Sequence, residues 1–84
     1  MIKSKKYFVY IVECADGTLY TGITTDLARR VAEHNMDPRG AKYTSARRPV
    51  SLVYSKKYKD RSSASIEEAR IKKLSKAGKL ALIG

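Results

Sequence analysis

Two runs rich in β-branched and aromatic residues, Tyr7–Cys14 and Thr18–Ile23, stand on either side of Ala15-Asp16-Gly17. Such runs read as strands, and the short glycine-containing break between them reads as a hairpin turn. The length of that turn governs what is built on it, because a register change of one residue moves every side chain to the other face. A two-residue Asp16-Gly17 loop pairs Ala15 with Thr18 and sends Tyr10 and Tyr20 to opposite faces. A three-residue loop with Gly17 left-handed pairs Cys14 with Thr18 and sends both tyrosines to one face. Gly17 suits either loop. The three-residue form is the expectation, because only it lets the tyrosines act together.

The hairpin leads directly into a helix. Thr24 or Thr25 is suited to cap it, and Asp26 is favourable in its first turn. It is expected to run to about Asn35, where Asn35, Asp37, Pro38 and Gly40 stop it. Leu27, Arg30, Val31 and His34 recur at i, i+3, i+4 and i+7, which is one helix face. The face meant to dock on the hairpin therefore carries an arginine and a histidine, while Arg29 and Glu33 point elsewhere. Residues 36–49 read as a loop in which Arg39, Lys42, Arg47 and Arg48 surround Tyr43, Thr44 and Ser45. Val50–Tyr58 alternates as a third strand, with Leu52 and Tyr54 on one face. A second helix starts either in the cluster Asp60–Ser63 or at the capping box Ser65-Ile66-Glu67-Glu68. It ends near Ala77, stopped by Gly78, and leaves Leu80–Ile83 as an apolar tail packed on the core. The order β-β-α-β-α predicts an α+β fold: a small three-stranded, mainly antiparallel sheet flanked by helices, forming a single domain over residues 1–84.

Charge narrows the partner. The chain of 84 residues has a formal net charge of +10. Residues 1–34 carry five Lys/Arg against four Asp/Glu, whereas residues 35–84 carry thirteen against four. A surface of that sign favours a polyanion, nucleic acid first and anionic membrane second. A domain of this size buries only about 60–65% of its unfolded surface, which favours a shallow site on a sheet over an enclosed cavity. Cys14 is the one cysteine, so neither an internal disulfide nor a cysteine-rich metal site is available. The apolar run Phe8–Val12 is too short for a signal-peptide core or a membrane span. No membrane association and a reducing, cytoplasmic location are the expectations.

Val9-Tyr10, then Tyr20-Thr21-Gly22, then Arg30 and His34, form an ordered set that resembles the GIY-YIG nuclease family, especially its small stand-alone bacterial members. The resemblance extends through GAKYTSARRPVSLVY to EEARIKKLSKAGKLALI and so covers essentially the whole chain. Val9 and Thr21 depart from the residues of the motif's name at positions that a strand tolerates. The resemblance implies hydrolysis of a DNA phosphodiester with one divalent ion, Mg2+ or Mn2+. It implies Tyr20 as general base or base relay, with Tyr10 shaping the site beside it. It implies Arg30 on the scissile phosphate, His34 assisting nearby, Glu68 as the metal ligand, and Gly22 as a structural residue of the motif.

These roles are chemically coherent. A free tyrosine has a pKa of about 10, so a basic role requires a nearby cation or metal. Arginine's planar fork of donors matches phosphate oxygens. One carboxylate with waters and a substrate phosphate suffices to hold magnesium. By helical spacing Glu67 and Glu68 both flank the face of Ile71 and Leu74. Ala64, four residues before Glu68, slightly favours Glu68 as the inward one. The match of Glu68-Ala69-Arg70-Ile71-Lys72 to the family's E-x-x-I-K run selects it.

Arg39, Lys42, Arg47, Arg48, Lys72, Lys73 and Lys76 are the expected phosphate contacts, giving salt-sensitive binding without sequence choice. The expected function is thus a structure-directed DNA endonuclease with a role in DNA repair. The competing readings are a non-catalytic nucleic-acid-binding module on the same fold and a domain whose substrate is recognised by a partner protein. All five candidate site residues are expected to converge on one sheet face.

Overall fold

The computed structural model describes residues 6–36 and 47–83. Its elements are β1 (Tyr7–Glu13), β2 (Leu19–Thr24), α1 (Leu27–Met36), β3 (Ser51–Tyr58), α2 (Arg61–Lys72) and α3 (Lys76–Ile83). The sheet order is β2-β1-β3, and both pairings are antiparallel. No helix among the described residues is long and apolar enough to cross a membrane.

The hairpin takes the three-residue turn. Cys14 N donates to Thr18 O at 2.8 Å and Gly17 N donates to Cys14 O at 2.9 Å, with Gly17 at φ +83°. Asp16 reinforces the turn, its Oδ1 accepting from Thr18 N at 3.1 Å and from Thr18 Oγ1 at 2.6 Å. An aspartate that bonds two residues ahead mimics a backbone turn, which is why it suits this position. The resulting register sets Val12 opposite Tyr20 and Tyr10 opposite Gly22.

That register divides the side chains between two small cores. Tyr10 and Val12 pack with Cys14 and Val50 under Leu27 and Val31 of α1. Val9 and Ile11 pack on the other face against Ala64 and Ile71 of α2, with Leu82 and Ile83 of α3 closing the edge. The sheet is therefore covered by α1 on one face and by α2 and α3 on the other.

Three local expectations are corrected. Asp26, not a threonine, caps α1: its Oδ1 accepts from Arg29 N at 3.0 Å, while Thr24 Oγ1 accepts from Asp26 N at 3.1 Å. Aspartate ranks above threonine at that position, and threonine is left to brace the turn before it. Leu52 and Tyr54 do not share a face, because the register shifts between Ile11 and Val12, which oppose Tyr54 and Leu52 with Val53 extra between them. The bulge turns Val53 and Tyr54 together toward the α2 face and leaves Leu52 opposite Val12. The long second helix is in fact two. Asp60 caps α2, accepting from Ser63 N at 2.8 Å, so the first of the two possible starts is the one used. Lys73 N and Leu74 N then bond to carbonyls only three residues back, and Ser75 Oγ accepts from Gly78 N at 3.2 Å to begin α3. Gly78 lies inside that helix, where a Cβ would stand 3.2 Å from Leu74 Cβ. Its smallness lets α3 fold close to the end of α2.

Candidate active site

The site is organised around the Tyr10 hydroxyl. Tyr10 is opposite Gly22, and its ring lies across that glycine, pointing from the central strand toward the open β2 edge. A Cβ at Gly22 would stand 2.6 Å from the Tyr10 hydroxyl oxygen, so only glycine leaves room for this crossing.

From above, α1 delivers Arg30 and His34 to the same oxygen. Tyr10 Oη lies 2.8 Å from His34 Nε2, and Arg30 Nε donates to Tyr10 Oη over a longer 3.4 Å. Burial lowers the His34 pKa, and the nearby Arg30 charge adds to the effect, so the ring is neutral at neutral pH. The arginine has only donors to offer. The Tyr10 hydroxyl and the His34 ring thus share one short hydrogen bond, with the guanidinium as an added donor to the same oxygen. The Tyr20 and His34 rings pack in a T-shaped arrangement at a centroid distance of 5.3 Å.

Exposure separates the roles of these residues. Tyr10 is 1% exposed and His34 is fully buried. Neither is open to a substrate, and both instead hold the groups around them. Tyr20 is half-buried, and the Arg30 side chain retains 24% of its exposure. Burial raises the Tyr10 pKa despite the opposing hydrogen bond and charge of Arg30. Tyr10 therefore stays protonated. Arg30 is desolvated, yet its bonds to Tyr10 and Glu33 hold its pKa above the usual value.

Glu33 is the residue that the sequence reading placed elsewhere. It accepts from Arg30 Nη1 at 2.9 Å and lies 3.7 Å from Arg29 Nε, so it fixes the guanidinium from the solvent side. The i, i+3 spacing of Arg30 and Glu33 was the available signal.

Glu68 corrects the expectation of convergence on one face. Ala64 and Ile71, four before and three after it, pack on Val9 and Ile11, so α2 covers the face opposite Tyr10 and Tyr20. Glu68 approaches from that side, pairs with Lys72 at 3.1 Å and keeps 22% side-chain exposure. Its charge nonetheless contributes to raising the Tyr10 pKa. Among the described residues no three His, Cys, Asp or Glu side chains form a metal-binding group. A cation here would rely on one accessible carboxylate, water and substrate oxygens, a donor set that suits Mg2+.

The predicted phosphate contacts are dispersed. Arg39 and Lys42 lie outside the described residues. Arg47 Nε donates to Asp16 Oδ2 at 3.2 Å, and Arg48 Nε donates to the His34 carbonyl at 2.5 Å near the end of α1. Lys76 Nζ donates to Gly17 O at 3.0 Å, Lys72 pairs with Glu68, and Lys73 is exposed. Arg47, Arg48 and Lys76 thus brace the hairpin turn and α1. Asn35 does related work, its side chain bonding both Val50 N at 2.7 Å and Val50 O at 3.1 Å.

Comparison with known proteins gives consistent relatives. The family model described as the GIY-YIG catalytic domain matches residues 6–81. A UPF0213 protein of Desulfotalea psychrophila is 60% identical over 77 residues, covering 92% of this chain and 70% of that protein. A UPF0213 protein of Halobacterium salinarum is 54% identical over 76 residues, covering 90% of this chain and 97% of its own. Among solved structures, the solution NMR structure of a UPF0213 protein from Bacillus halodurans superposes with a TM-score of 0.60 at 41% identity, covering 93% of this chain and 82% of that one.

Proposed function

Because this chain belongs to the GIY-YIG catalytic domain family, whose activity is of nuclease type, we propose that it is a metal-dependent DNA endonuclease that cuts by phosphodiester hydrolysis. The observation that supports the reading is the buried Tyr10–His34 pair, which holds the partly exposed Arg30 and Tyr20 beside it, while the Glu68 charge reaches Tyr10 from the other helix layer.

In this reading Arg30 binds the scissile phosphate and balances the charge that develops on its oxygens. Glu33 and Tyr10 hold the guanidinium so that its geometry is set before substrate arrives. Tyr20 is the base relay: its oxygen takes the proton of the attacking water as its own proton passes to solvent, while the water oxygen bonds phosphorus and the bond to the leaving oxygen breaks. Tyr10 and His34 do not touch the substrate; they position Arg30 and the Tyr20 ring. Glu68, released from Lys72, would hold a Mg2+ or Mn2+ ion. When bound, that ion would supply Lewis-acid stabilisation of the phosphate. The cations around the site would meet phosphates, which carry no base sequence, and the choice among substrates in this reading is of DNA structure. Repair of branched or flapped DNA in the cytoplasm is the setting we propose.

The test is incubation of the purified chain with duplex, flapped and branched DNAs, with and without Mg2+ or Mn2+, beside Glu68→Gln and Arg30→Ala. Metal-dependent nicking lost in both variants is expected. Cleavage that persists in both would reject the assignment. Binding without any cleavage would favour a non-catalytic module on the nuclease fold.

A further inference from the structure

The site-bearing face of the sheet continues past Tyr10 into a patch that neither core absorbs. Phe8 lies two residues before Tyr10 and on the same face, about 7 Å along the strand. It is half-buried and packs against neither hydrophobic cluster. Directly across β3, the partners of Tyr10 and Phe8 are Ser55 and Lys57, both exposed. Lys6 is exposed at the same end of the sheet, two residues before Phe8 in the chain. Neither Lys6 nor Lys57 is ion-paired among the described residues. Most of the chain's other described acidic groups are already engaged, since Glu33, Glu67, Glu68 and Asp16 each face an arginine or lysine.

We propose that this patch seats an unpaired nucleotide flanking the scissile phosphate, with its base stacked on Phe8 and its phosphates on Lys57 and Lys6. The proposal rests on the nuclease reading for the position of the scissile phosphate, but the binding it predicts does not require catalysis. A half-open aromatic beside unpaired lysines, on a sheet surface, supplies the two terms that hold single strands: stacking and phosphate charge. A base paired in duplex has no free face for Phe8. Phe8 is therefore the residue that distinguishes the two forms of DNA, whereas the lysines attract both.

The experiment measures equilibrium binding of the full chain, in EDTA, to a fluorescent oligothymidine and to a blunt duplex over a range of salt. Phe8→Leu, which keeps an apolar side chain, is expected to weaken oligothymidine binding roughly five-fold or more and to leave duplex affinity unchanged. Lys57→Ala is expected to weaken both and to reduce the salt slope for the single strand by about 0.7. A Phe8→Leu variant that binds oligothymidine like the parent overturns the proposal, as does an equal loss for duplex. Failure of the parent to bind oligothymidine also overturns it. If Phe8→Leu does not fold, the Lys57→Ala slope decides, and an unchanged slope rejects the patch. Phe8-dependent binding in a chain that cuts no DNA would reject the nuclease reading alone. Cutting that is indifferent to Phe8 and Lys57 would reject the patch alone.

Discussion

Tyr10 and Gly22 are cross-strand partners, and the hydroxyl of the first occupies the space that a side chain on the second would need, 2.6 Å from a Cβ placed there. The pairing explains how a residue of the central strand contributes to a site at the sheet's edge. It also makes the glycine as necessary as any polar residue around it.

Gly22→Ala is therefore expected to expel the Tyr10 ring and break its bond to His34. The Tyr10 ring atom Cζ would stand 2.8 Å from the new carbon, so removing the hydroxyl alone would not relieve the clash. Overpacking of this kind costs about 1–3 kcal/mol. Chemical denaturation should show that loss, and DNA cleavage should fall with it. A variant as stable and as active as the parent would mean that the ring has another place to go.

His34 gives stability a pH dependence. Burial, the largest effect, lowers its pKa in the folded chain, and the charges of Arg30 and Arg48 act in the same direction. A histidine unfolded in water titrates near 6.5, so below that pH the unfolded chain takes up the proton more readily than the folded one. The stabilisation is complete above about 6.5 and is lost as pH falls toward the folded-state value. Asp16, Asp60 and Glu67 also have lowered values, from hydrogen bonds to Thr18, to Ser63 and to Arg70 respectively, but their contributions are lost only as pH falls through the carboxylate range. Denaturation midpoints from pH 7.5 to 5 should therefore decline in the parent and stay nearly flat in His34→Gln.

The hairpin was legible in the sequence because turn chemistry and strand alternation agree there, and the i, i+3, i+4, i+7 row placed Leu27, Arg30, Val31 and His34 correctly on α1. Glu68 was selected by resemblance, but its approach from the opposite face was not legible, since no local pattern encodes which face of the sheet a distant helix covers. The bulge at Val53 escaped alternation because one extra residue inverts parity without changing composition. The break before α3 was hidden because Ser75 as a cap and Gly78 inside a helix run against the usual use of glycine as a stop. Glu33 lies off the apolar row, so only its i, i+3 charge spacing from Arg30 pointed to the contact.

Asn35 marks the end of α1 in the sequence, yet in the structure it bonds both backbone groups of the buried Val50. Asn35→Ala leaves those groups without their partner. Each unsatisfied buried group costs about 1–3 kcal/mol, less where water reaches it. A clear drop in the denaturation midpoint is expected, larger than that of Asn35→Asp, whose side chain still accepts from Val50 N. Equal losses in the two variants would show that the acceptor bond contributes little.

Thr21 makes the opposite kind of prediction. It is 3% exposed, in the middle of β2, and its hydroxyl has no hydrogen-bond partner among the described residues. Opposite Ile11, it lies on the face covered by α2, in an apolar layer. A hydroxyl buried without a partner carries an uncompensated desolvation cost, and valine has the same shape without it. Thr21→Val is expected to raise stability by on the order of 1 kcal/mol, read as a higher midpoint with an unchanged denaturant slope. Thr21→Ser keeps the hydroxyl but removes the packed methyl, and should be less stable than the parent. If valine instead lowers stability, the hydroxyl has a partner in solution, and a buried water between β2 and α2 becomes the explanation to examine.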